Sequence, residues 1–200
     1  MRDVKLTASE LSHLWVAYMN SSMAERILEY FVHTSDDQDI KKVTQAAMEE
    51  SVKTTTQIKR ILDVEGIPVP HGFTKDEADP QAPKLFTDRL IIEYVKQMAS
   101  LGLAVYGVAM SLCPREDVRH LFKDRIESSA NLLEQTVSTL LNKGIYVRPP
   151  YIPYPDSTQF VHKESFMSGM FGDRRPLNSI EITNLFQSTL TNSLGKAKRS

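Results

Sequence analysis

"GIPVPHGFTKDEADPQAP" (residues 66–83) is rich in proline and glycine and has no helical periodicity, yet it lies between two long helical patterns. Its length decides the fold. Fully extended, such a segment reaches roughly 60 Å, and a helix of this chain's size is only about 42 Å long. A turn between antiparallel neighbours needs just a few residues. This connection is long enough to run the whole length of a helical bundle.

Working outward, the helix before it is capped at Ser35-Asp36-Asp37 and runs to about Glu65, where Gly66 stops it. Upstream, Thr7-Ala8-Ser9-Glu10 reads as a capping box with Leu6 and Leu11 as its staple pair. Leu11, Leu14, Trp15 and Tyr18 follow at helical spacing, and this first helix should end near His33. Trp15 is expected on the core stripe. Downstream, a third helix is expected from about Lys84 to Leu112. A fourth should open at Pro114, a favoured first helical residue, and end at Gly144. Short, long, short is the loop order of an all-α, ferritin-like four-helix bundle with one crossover. "EGIPV" (65–69) and "KGIYV" (143–147) leave helices two and four in the same way, which suits a bundle of two similar halves.

After residue 147 the pattern changes. Residues 148–176 combine a stiff segment carrying Pro149, Pro150, Pro153 and Pro155 with a short amphipathic piece. Residues 177–200 then repeat the opening of the chain. Leu177 falls on Leu6, Glu181 on Glu10, Ile182 on Leu11, Leu185 on Leu14 and Phe186 on Trp15. Asn178-Ser-Ile-Glu181 renews the capping box. The expected organisation is a bundle over 1–147, a linker over 148–176, and over 177–200 a fifth helix that begins an incomplete second bundle.

Composition narrows the function. With 41% hydrophobic and 24% charged residues and a formal net charge of -1, the chain has a soluble globular balance. No strong field draws it to nucleic acid or anionic lipid. The one cysteine, Cys113, fits a reducing compartment as an inert thiol. No secretory signal is visible at the N-terminus. The uncharged run between Lys96 and Arg115 brushes the lower limit for a membrane span, but Gln97, Ser100, Ser111 and two glycines make it a buried bundle helix.

Catalytic signals are sparse. A di-metal bundle site needs a Glu-x-x-His pair on each of two helices. Three residues after Glu49, Glu50, Glu127 and Glu134 stand Val52, Lys53, Ala130 and Val137. Weak metal candidates are Glu25, Glu29 and His33 on helix one, Glu93 on helix three and Glu127 on helix four. The bland reading is a solvated or partner-facing polar stripe, with Ile27, Leu28 and Phe31 turned to the core. His71 is expected to pin the crossover to the bundle rather than to bind a ligand. No phosphate loop, nucleophile elbow or Cys/His cluster occurs. No cofactor is expected.

"LWVAYMNSSM", "GIYVRPPYIPYP" and "FMSGMFGDRRPLNSIEITNLF" resemble an uncharacterised family of Bacillus and its relatives, the domain of unknown function 3231. The resemblance implies tandem ferritin-like bundles, similar at fold level to the spore coat protein F group, in a spore-former's cytosol or spore. It implies no activity and supplies no catalytic residues. The leading expectation is therefore a non-enzymatic bundle that acts through protein contacts and self-associates through its C-terminal helix. Two rivals stand beside it: a divergent metal-binding redox protein, and a bundle with a small-ligand pocket beside Trp15 and Tyr106.

Overall fold

Helix formation follows the capping chemistry closely. The structure, a computed structural model, describes residues 4–148 together with 151, 185 and 189. Among residues 4–148 the α-helices are α1 (Ala8–Thr34), α2 (Gln38–Val64), α3 (Asp88–Ser111) and α4 (Glu116–Asn142), with one 3-10 turn at Lys75–Glu77. At the head of α1 both halves of the capping box form between Thr7 and Glu10. Asp37 caps α2 by accepting from the N–H groups of Asp39 and Ile40.

Two helices start later than expected. α3 begins at Asp88 rather than near Lys84, because Thr87 caps it by accepting from Leu90 N–H and Lys84 is engaged elsewhere, with Asp36 and Asp88. α4 begins at Glu116 rather than Pro114. The preceding Arg115 keeps an extended backbone because its N–H is bound, at 2.8 Å, by the Glu10 carboxylate of α1.

The exits of α2 and α4 share one geometry. Gly66 and Gly144 adopt φ of 66° and 67°. Ile67 N–H donates to Leu62 and Ile145 N–H to Leu140, while each glycine N–H reaches back to residue 63 or 141. These are matched Schellman caps, and the positive φ explains glycine at both places.

Polar contacts fix the helix directions. At one end the α1–α2 turn meets the start of α3, where Asp88 accepts from the N–H groups of Asp36 and Asp37. The end of α4 arrives there too, with Lys143 paired to Asp37 and Asp39. At the other end Arg115, before α4, meets Glu10 of α1 and Glu65 after α2. Hence α2 and α3 run the same way, and residues 65–87 leave one end and rejoin at the other.

That connection is tied to α1 at two levels. Phe73 N–H donates to Ser22 Oγ. Tyr30 Oη donates to Pro83 O and accepts from Leu85 N–H. At Gly72 an added Cβ would lie 2.7 Å from Ser22 Oγ and 2.9 Å from the Tyr18 ring, so only glycine permits this approach. The expected anchor, His71, is exposed; the backbone of Gly72 and Phe73 makes the contact instead.

The core is double. One apolar cluster near the α1–α2 turn gathers Leu28, Phe31, Ile40, Ile92, Val95 and Leu140. The second, at the opposite end, gathers Leu14, Tyr18, Ile58, Leu62, Phe122 and Cys113. Trp15 does not join it: 51% of its surface is exposed. The buried seam of α1 runs Glu10, Leu14, Ala17, Ser21, Ala24, Leu28, Phe31, alternating steps of three and four, and Trp15 stands one position round the helix from it. None of the described helices is long and apolar enough to cross a membrane.

The chain divides into two units, 1–147 and 148–200. In the second, Leu185 and Thr189 are helical. The expected linker and the remainder of the expected fifth helix lie outside the described residues.

Candidate functional site

Between the two apolar clusters the buried seams of α1, α2 and α4 turn polar. α1 contributes Ser21, α2 Ser51, Thr54 and Thr55, and α4 Arg125 and Ser129, while the half-buried Tyr106 of α3 stands at the edge of the second apolar cluster. Buried hydroxyls on helices bond to the preceding turn, as Ser51 does to Ala47 O and Thr54 to Glu50 O. They need no partner across the bundle. A guanidinium does.

Arg125 is the largest fully buried side chain among the described residues, with 2% of its surface exposed. α4 places it on its apolar seam, between Phe122 and Ser129. Its Nη1 donates to Glu50 Oε2 at 2.9 Å, Thr54 Oγ1 at 3.0 Å and Glu50 O at 3.4 Å. Glu50 sits at the rim with about a third of its side chain in solvent. The Nε and Nη2 atoms have no hydrogen-bond partner. Burial holds the Tyr106 phenol pKa above its ordinary value, against the lowering influence of the nearby Ser21 hydroxyl and Arg125 guanidinium. Gly102 completes the layer: a Cβ there would meet Ser129 Oγ at 2.6 Å and the Tyr106 ring at 3.3 Å.

The residues singled out from sequence are dispersed. Glu25 accepts from Thr55 Oγ1 at 2.6 Å and pairs with Arg26. Glu29 pairs with the other end of the same arginine. His33 is exposed, its Nδ1 near Glu29 O. Glu93 pairs with Lys96, its neighbour on α3. Glu127 is exposed. Among the described residues no three His, Cys, Asp or Glu side chains come together as metal ligands. Trp15 and Tyr106 do not share a pocket wall in the core either, since Trp15 faces out and Tyr106 packs against Phe122 at 6.1 Å between ring centroids. Cys113 is buried, and burial pushes its thiol pKa up, which suppresses the reactive thiolate.

Sequence reading missed Arg125. Its signal was available: α4 carries Val118, Phe122, Arg125, Ser129, Leu132 and Thr136 at seam spacing, so a charged residue stands where periodicity demands an apolar one.

Solved structures with the same fold include the following. A candidate spore coat protein from Bacillus halodurans C-125 superposes with a TM-score of 0.68 at 19% identity, covering 76% of this chain and 99% of that one. A DUF305 fragment from Deinococcus radiodurans gives a TM-score of 0.58 at 10% identity, covering 70% and 99%. A conserved hypothetical protein from Mycobacterium tuberculosis gives 0.54 at 11% identity, covering 66% and 98%. Among curated proteins none matches the sequence. The family model described as "Protein of unknown function (DUF3231)" matches residues 1–157, and the chain belongs to that family.

Proposed function

We propose that this protein is a non-enzymatic, ferritin-like helical bundle that works through protein–protein contacts in a spore-forming bacterium. The likeness to the Bacillus candidate spore coat protein supports the setting, in the spore or the cytosol that builds it. The connection over 65–87, which exchanges ends of the bundle, supports the ferritin-like ordering of helices.

One observation carries the non-enzymatic reading. The polar layer inside the bundle, where a ferritin-like protein gathers carboxylates and histidines around metal, is here organised around a buried cation. Arg125 satisfies part of its charge with Glu50, and a second cation beside it would be repelled. Elemental analysis of protein purified without chelator is the test. The expected content is well below one iron, manganese or zinc per chain. About two metals per chain, lost on Glu25→Ala or Glu127→Ala, would establish the redox alternative instead.

The contact surface is assigned to residues 177–200. Ile182, Leu185, Phe186, Thr189 and Leu190 fall on one helical stripe. Leu185 is 57% exposed. A lone helix of this length is marginal in water and needs an apolar surface. The same helix of a second copy supplies one in a two-fold dimer, because the bundle over 1–147 already encloses its own core.

A further inference from the structure

The unpaired edge of Arg125 has a specific shape. Nε and Nη2 lie on one side of the planar guanidinium with their N–H bonds parallel, the fork that grips both oxygens of a carboxylate. That edge is the one left without partners. The third nitrogen, Nη1, is spent on Glu50 and Thr54. A buried donor without a partner costs free energy that a surface donor does not. Here a charged group leaves two nitrogens unsatisfied in one place. The surroundings suit an anion: Tyr106 packs against Phe122, one turn of α4 before Arg125, and lies within the electrostatic reach of the guanidinium. Arg125 and Ser129 are one helical turn apart on the buried face of α4, so a second hydroxyl stands near.

We propose that the Nε–Nη2 edge of Arg125 binds one small carboxylate-type oxyanion inside the bundle, with Tyr106 as a further hydroxyl donor. The site lies within the bundle, so it stands whether or not residues 177–200 carry self-association. Formate is the appropriate probe, because it offers two coplanar oxygens and the least bulk. With so few atoms it should bind no tighter than about 1 mM.

The direct test is a titration of the full chain with sodium formate at fixed ionic strength, balanced with sodium chloride, following the assigned Arg125 Nε–H resonance by NMR. The expected result is a saturable shift at Arg125, absent at the exposed Arg60 and Arg89. In Tyr106→Phe the half-saturation should rise about 3- to 10-fold, the usual worth of one hydrogen bond. No saturable shift at Arg125, or one of equal size when chloride replaces formate, overturns the proposal. So does a formate-soaked crystal structure in which water alone meets the Nε–Nη2 edge. Since the readout is the native folded protein, loss of folding in an arginine variant cannot obscure it.

Discussion

Leu14 and Trp15 are neighbours in sequence and opposites in structure. Leu14 is fully buried and Trp15 is half in water. Leu14→Ala should therefore cost about 2–5 kcal/mol in urea unfolding, and Trp15→Ala less than about 1 kcal/mol. Equal losses would place both on the core. Glu10 is the more informative residue. Burial alone would raise its pKa, but hydrogen bonds from Thr7 and from Arg115 N–H outweigh it and hold the carboxyl below its ordinary value of 4.5. A depressed folded value contributes stability that is fully present above about pH 4.5 and is lost as pH falls through the folded value. Glu10→Gln should cost about 1–3 kcal/mol at pH 7, and the gap to the parent should narrow as acid protonates the parent's carboxyl. An unchanged gap between pH 7 and pH 3 would mean that the charge does not matter. Sequence showed half of this residue's role. The Thr7 box is local and legible; the bond to Arg115 crosses from α1 to α4 and has no sequence signature.

At the scale of elements, local chemistry was readable and packing was not. The Thr7–Glu10 capping box, the Asp37 cap and the exits at Gly66 and Gly144 all depend on residues within a turn of one another, and all formed where expected; the expected box at Asn178–Glu181 lies outside the described residues. α3 and α4 start later than expected because Lys84 is held by Asp36 of the α1–α2 turn and Arg115 by Glu10 of α1. Trp15 was misplaced for a related reason. The middle of the α1 seam is Ala17, Ser21 and Ala24, so side-chain size there does not mark the buried face. The seam spacing of α4 marks Arg125 as a charge on the buried face, but its partners, Glu50 and Thr54, lie on α2 and no single-helix pattern names them. The crossover offers its own check. Gly72→Ala should push residues 71–74 off α1, since the added carbon would strike Ser22 and Tyr18. The measurable outcome is faster amide exchange at Phe73, whose N–H loses Ser22 Oγ, with the ends of the bundle unaffected. Unchanged protection at Phe73 would show that this approach is not as close as described.

At the scale of the molecule, residues 1–147 form a bundle closed around a polar, arginine-centred layer, and the sequence of residues 177–200 carries one apolar stripe at helical spacing. The two apolar clusters lie at opposite ends of that layer, so residues 1–147 have a core of their own. This is why association, rather than chemistry, is the reading the fold supports best. The decisive comparison is multi-angle light scattering of the intact chain and of a form lacking residues 176–200, each at several concentrations. The account predicts a dimer for the intact chain, with dissociation on dilution, and a folded monomer for the shortened one. An intact chain that is monomeric throughout, and whose melting temperature falls when residues 176–200 are removed, would contradict it by showing that the C-terminal helix completes its own bundle.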